Sequence, residues 1–310
     1  MSSTQAEAPP AYRFRRRRRS GLERRKTRIA WLLLLPALAV VALVAFYPLG
    51  VTVYQSFTDK SFLALTPTKW IGLKNYFGPT GLIHDTVFRD AIYVTLKFTA
   101  ITVFFEFVLG MIIALVVNSS FKGRGAMRAV MLVPWAIPTV ISARMWQWMF
   151  DDIYGVINDA LVRLHVIDHS IAWTSVHPLA TVAAVDIWKT TPFVALLLLA
   201  GLQVIPTELY EAASVDGANK WQQFWRITLP LLRPAILVAL IFRTLDALRV
   251  FDVFYVFFGN RADTQTMAIY NQNTIINGDV GYGSAISVAI FLIIAVFVVI
   301  YVTFTRVEEQ

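Results

Sequence analysis

Residues 91–117 read AIYVTLKFTAITVFFEFVLGMIIALVV, and this stretch decides the class of fold. A bilayer core takes roughly 20 consecutive apolar residues in a helix, and this run exceeds that length. Five further segments reach it too: 29–53, 127–149, 179–202, 235–258 and 284–304. The expectation is an all-α, polytopic membrane protein with six transmembrane helices. Composition points the same way, since 57% of the 310 residues are hydrophobic and only 15% charged. That leaves too little polar surface to cover a water-soluble globule.

The net charge of +8 does not mark a nucleic-acid-binding face, because ten of the 28 basic residues fall in the first 28 positions, including Arg15 to Arg19. A basic run directly ahead of an apolar stretch holds an N-terminus in the cytoplasm, helped by attraction to anionic membrane lipid. The apolar stretch that follows is too long for the core of a cleaved signal peptide and has no small-x-small exit. With the N-terminus inside, the segments on the cytoplasmic side carry 17 Lys and Arg and the external loops carry six. Both termini are therefore expected in the cytoplasm. The domain plan is a basic cytoplasmic tail over 1–28 and a transmembrane domain over 29–310, with no connection long enough to bury a core of its own. The chain has no cysteine, and its four histidines lack the spacing of a metal site, so no metal is expected. No G-x-x-x-x-G-K-[ST] occurs, so nothing here cradles nucleotide phosphates in the P-loop manner.

Between the fourth and fifth spans, residues 203–234 read QVIPTELYEAASVDGANKWQQFWRITLPLLRP. Local rules predict a helix opened by Pro206, with Thr207 as N-cap and Glu208 near the positive end of the dipole. Asp216-Gly217 predicts the break, with glycine supplying a positive φ and Asp216 capping the helix that follows. That second helix, striped by Trp221, Phe224 and Trp225, is predicted to end at Pro230, before Pro234 opens span five. Ala212 and Ala213 are small enough to let another backbone approach. Such a two-helix knob serves either as a docking surface or as an amphipathic elbow resting on its own bundle.

The run Glu211-Ala212-Ala213-x3-Gly217-x9-Ile227-x-Leu229-Pro230, with Asp216, Ala218, Phe224 and Pro234, resembles the EAA loop of importer permeases of the ATP-binding-cassette superfamily. The resemblance extends over Tyr47-Pro48, Ser56-Phe57, Gly72-Leu73-x-Asn75-Tyr76, Pro134 with Pro138, Trp188-x3-Pro192-Phe193 and Gly281-Tyr282-Gly283-Ser284-Ala285. These look like the carbohydrate-uptake branch, in which the chain is similar to the first of two non-identical permeases, the MalF or SugA type. The resemblance implies the type I importer permease fold, with the loop docking as a cytoplasmic coupling helix on a separate ATPase. It places that contact on Glu211, Ala212, Ala213, Asp216, Gly217 and Ala218. It further implies a heterodimer with a second permease of the MalG or SugB type, a homodimeric ATPase that binds ATP and Mg, and an extracytoplasmic solute-binding protein. The location implied is the bacterial cytoplasmic (inner) membrane, and the cargo a sugar such as trehalose or maltose. No catalytic residue and no cofactor is expected in this chain. Gly259-Asn260-Arg261 departs from the glycine-rich run ending in proline that relatives carry there, so the external gate geometry is not carried over.

Eight charged residues are read by position as lying at mid-bilayer, and each needs a partner, a cavity or a function. Glu106, Arg144, Asp186, Arg249 and Asp252 are read as intramembrane charge pairs. Asp186 with Lys189, and the series Arg243, Asp246, Arg249 and Asp252, stand three apart and can meet across a helical turn. Lys189, Thr190, Phe193, Arg243, Asp246, Ala247 and Val250 are read as the substrate path, because donors, acceptors and an aromatic face suit a neutral sugar. Pro192 is expected to break the ladder of span four and free backbone carbonyls there. Two alternatives stay open: an importer permease for a peptide, amine or oxyanion, and a secondary transporter whose intramembrane carboxylates carry protons.

Overall fold

The computed structural model describes residues 21–64 and 66–306. Most of the expected cytoplasmic tail, residues 1–20, and the C-terminal residues 307–310 lie outside the described residues. The chain divides into two units, Met1–Val51 and Thr52–Gln310. In the first, a helix over Gly21–Val41 passes through a π turn at Ala42–Phe46 into a helix over Tyr47–Gln55.

Five helices are long and apolar enough to cross a bilayer: Arg25–Gln55, Thr86–Asn118, Pro178–Leu202, Lys220–Phe258 and Val280–Thr303. Arg124–Ala136 and Thr139–Met149, which meet at a bend of 89°, are together long and apolar enough to count as a sixth. We number the six as spans one to six, the bent pair being span three. Among the described residues there is no strand, only an isolated antiparallel bridge between Thr58 and Trp70.

Two spans predicted as continuous are broken. In span three, Ile137 and Pro138 take extended geometry, with ψ of 133° and 137°. The proline ring excludes its predecessor from the α region and supplies no N–H, so the helix stops and restarts in a new direction. Span five stops at Ala247 and resumes at Asp252. At this second break the Val250 carbonyl accepts from the Thr266 hydroxyl at 3.0 Å, so one of the backbone groups released by the break is satisfied.

Conversely, prolines expected to interrupt helices sit inside them. Pro192 lies within the continuous helix Pro178–Leu202, and Pro230 and Pro234 within Leu229–Ala247. Ahead of Pro230, a π turn at Phe224–Thr228 lets the Leu229 N–H reach back five residues to the Phe224 carbonyl. The widened turn accommodates a ring that would clash in a regular ladder. The first unit repeats the device, with Tyr47 bonded to the Ala42 carbonyl immediately before Pro48. Around Pro192, the hydroxyls of Thr190 and Thr191 lie 2.6 Å from the carbonyls of Asp186 and Ile187, inside the preceding turn.

Spans two and four pack along most of their length, and span five closes against both. Without a hydrophobic drive between helices in lipid, close approach of small residues matters most. A Cβ on Gly110 would fall 2.9 Å from Val194, and one on Gly201 would fall 2.4 Å from Ala235 and 2.7 Å from Leu232. Val117, Leu198, Leu202 and Leu232 fill the core at this end, and Phe98, Val185, Phe254 and Ile269 fill it at the other.

The segments at the end away from Glu211 are tied by polar side chains. The buried Asn158 amide donates to the carbonyls of Asp151 and Ile171, and its oxygen accepts from Ile171 N–H and the Trp173 indole at 2.8 Å. Asp85 caps span two by accepting from Phe88 N–H, and its other oxygen accepts from Tyr270 and Tyr282, each at 2.6 Å. Partial burial alone would raise the Asp85 pKa, but these hydrogen bonds hold it below its usual 3.8.

Candidate functional site

The 211–218 loop has the geometry of a sealed helix end. The helix Thr207–Val215 finishes with Ala218 N–H bonded to the Ala213 carbonyl and Gly217 N–H to the Ser214 carbonyl, while Gly217 takes φ of +80°. This pairing leaves a left-handed residue just beyond the helix, a place that favours glycine. Two capping assignments differ from expectation. Pro206, not Thr207, is the N-cap of the first helix, and Asn219 caps the second in a reciprocal box with Gln222. Asp216 instead ends the first helix, its side chain left free of any capping role because Asn219 is already in register with the next turn. Gln223 crosses between the two helices, donating to Ser214 Oγ and the Ala218 carbonyl, and Tyr210 meets Thr228 at 3.0 Å. The knob is thereby fixed to the base of span five. Glu211, Ala212, Asp216 and Gly217 stay exposed, and Ala213 and Ala218 are half-buried.

The second candidate site is a cleft of about 440 Å³ between the break in span three and the facing surfaces of spans four and five. Arg243 organises it. Its guanidinium donates to both oxygens of Glu106, to Asp186 and, at 3.1 Å, to Asp246. Glu106 is fully buried and Asp186 nearly so, whereas the Asp246 side chain is 69% exposed. A planar cation with five donors suits two carboxylates from different helices, each of which would be costly alone in this setting. Thr190 adds a hydroxyl contact to Glu106.

Lys189 does something different from its expected pairing with Asp186. Its ammonium donates to the carbonyls of Trp135 (3.3 Å) and Ile137 (2.6 Å), the groups released where span three breaks. The break and the lysine thus satisfy each other, and Trp135 is positioned to stack on Phe193 with ring centroids 5.8 Å apart.

The structure brings Lys189, Thr190, Arg243, Asp246 and Val250 together on this cleft, with Phe193 adjoining it through Trp135. Ala247 is not on it; the residue points into the helix packing and is 1% exposed. Three proposed members of charge pairs are corrected. Arg144 is exposed and donates to Gln147 at 2.8 Å rather than to a carboxylate. Arg249 donates to the Leu245 carbonyl and lies in the non-helical residues 248–251, and Asp252 opens the helix beyond them, so the two are not spaced across one helical turn as predicted. Both line the cleft instead. Trp135, Ile137, Thr139 and Phe251 were not anticipated at the site. The Pro134 and Pro138 pair was the available signal for the first three.

The protein-family comparison matches the description "Binding-protein-dependent transport system inner membrane component" over residues 106–308. The trehalose/maltose transport system permease protein MalF of Thermococcus litoralis is 41% identical, covering 93% of this chain and 97% of that protein. The sulfoquinovosyl glycerol transport system permease protein SmoG of Agrobacterium fabrum is 40% identical over 91% of each chain. The trehalose transport system permease protein SugA of Mycobacterium tuberculosis is 38% identical, covering 92% of this chain and 91% of that one. Among solved structures, a chain of a bacterial transporter for import of the acidic polysaccharide alginate superposes with a TM-score of 0.77 at 24% identity, covering 92% of this chain and 98% of that one. A fold of broken and continuous spans, a capped loop between spans four and five, and this match over most of the chain lead to one assignment: the protein belongs to the family of binding-protein-dependent transport system inner membrane components, the membrane-spanning permease subunits of ATP-binding-cassette importers.

Proposed function

We propose that this permease carries a neutral sugar, a disaccharide such as trehalose or maltose, through the cleft around Arg243. The observation that carries the reading is the cleft itself. Its volume of about 440 Å³ falls in the range of small-molecule sites, roughly 300–1,000 Å³. Along its wall Asp246 and the Lys189, Thr190 and Arg243 group offer acceptors and donors beside the stacked Trp135 and Phe193 rings. Hydroxyl-rich cargo with apolar ring faces suits such a wall. In this reading the Glu211 loop and both termini face the cytoplasm, and the loop receives force from a separate homodimeric ATPase that holds ATP and Mg. A second permease completes the pathway, and an extracytoplasmic binding protein delivers cargo.

The test is uptake of labelled trehalose and maltose into vesicles holding the assembled complex, with ATP inside and loaded binding protein outside. Asp246→Ala is expected to lower uptake at least tenfold without loss of assembly. Glu211→Lys is expected to abolish uptake by releasing the ATPase. Full uptake by both variants would overturn the reading. Uptake that survives an inactive ATPase but stops with a protonophore would replace it with proton coupling.

A further inference from the structure

We infer that the groove between span two and the aromatic helix after Gly217 is a binding site for one anionic phospholipid from the leaflet on the Glu211 side. That leaflet is the cytoplasmic one in the orientation proposed above. The groove has a volume of about 930 Å³, with Phe107, Met111 and Leu115 on one wall and Trp221, Phe224 and Trp225 on the other. It follows span two from Phe107 to Ser119, twelve residues, or about 18 Å at helical rise. One leaflet of hydrocarbon is roughly 15 Å thick, so the groove runs from mid-bilayer to the headgroup level.

Its polarity changes along that length in the way a lipid's does. Apart from Gln223 and the Tyr210–Thr228 hydroxyl pair, which bond within the protein, the lining is apolar until Asn118, Ser119 and Lys220 at the shallow end. Lys220 is the one charged residue among those lining it, and no carboxylate is present there. Ser119 leads directly into a loop with Lys122, Arg124 and Arg128 and no acidic residue. Trp221, next to Lys220, and Trp225 line the groove with 69% and 50% exposure, as suits indole rings, which prefer the membrane interface. Charge and amphipathic order therefore fit an anionic headgroup above acyl chains.

The chain contains no cysteine, so Ile112→Cys gives this subunit a single labelling position within the groove, at a side chain already 53% exposed. The assembled importer, labelled there with bimane, is placed in phosphatidylcholine vesicles containing increasing fractions of dibrominated phosphatidylglycerol or dibrominated phosphatidylcholine. One favourable lysine near the surface corresponds to about fivefold preference, so half-quenching by the anionic lipid is expected at about one-fifth the mole fraction. Lys220→Gln is expected to erase that difference. Equal quenching by the two lipids in the unmodified background would reduce the groove to ordinary lipid contact and overturn the inference. Protection from both would mean that a protein segment fills it, which also overturns the inference. The unmodified curves decide the matter even where Lys220→Gln prevents assembly.

Discussion

Replacing Arg243 with methionine tests whether the polar cluster is a structural necessity in the membrane. Methionine keeps most of the length of the side chain but removes four hydrogen bonds to three carboxylates. Glu106 and Asp186 are then left buried, with no cation between them. Removing one partner of a buried ion pair costs about 3–5 kcal/mol, and two carboxylates sharing one partner place this case at the upper end. For a domain of this size that corresponds to a fall in Tm on the order of 10 °C. Asp246→Asn perturbs the same guanidinium from the exposed side, and an exposed pair contributes about 0–1 kcal/mol. The assembled complex in detergent, heated and followed by fluorescence-detected gel filtration, should therefore lose far more stability from Arg243→Met than from Asp246→Asn. Adding Glu106→Gln and Asp186→Asn to Arg243→Met removes the stranded charges and should recover more than half of the loss. Equal effects of the two single variants, or no recovery in the triple variant, would refute the assignment of Arg243 as the neutralising centre.

Three further outcomes follow from other contacts. Gly201→Leu forces a side chain into the space held by Leu232 and Ala235, and overpacking of this kind costs about 1–3 kcal/mol, measurable as a lower Tm of the complex. Asn158→Ala removes four hydrogen bonds that join residues 151–173, and limited proteolysis within that segment should accelerate severalfold while the spans stay protected. Because the folded pKa of Asp85 is depressed, its contribution to stability is present above about pH 4 and is lost as pH falls through the folded value. Below pH 4 the wild-type Tm should therefore decline more steeply than that of Asp85→Asn, and parallel declines would count against the contact with Tyr270 and Tyr282.

Apolar length made the helical, membrane-crossing class legible, and Asp216-Gly217 made the turn legible because a positive φ there has a local cause. The breaks were less visible. Apolar length read residues 127–149 as one continuous span, although Pro138 lies inside it. The break at 248–251 contains neither proline nor glycine, and the contact that satisfies Val250 comes from Thr266, sixteen residues away. The charge cluster shows the same limit. Spacing of three suggested Asp186 with Lys189, whereas Arg243 is met by Glu106 from 137 residues earlier in the chain. Only the packing of spans two, four and five brings those two together. Lys189 was legible as a residue that needs a partner, but its partners are backbone carbonyls exposed by a break that the sequence had not revealed.

The π turn at Phe224–Thr228 has a geometric consequence for the knob that carries Glu211. Such a turn is equivalent to one residue inserted into an α-helix, and one residue corresponds to about 100° of rotation about the axis. It lies between that knob and the long part of span five. The azimuth of the whole knob is thus set by a single supernumerary residue, like a keyway that fixes a handle to a shaft at one angle. Deleting one residue there would leave the helices on either side helical and turn Glu211 to face a different quarter.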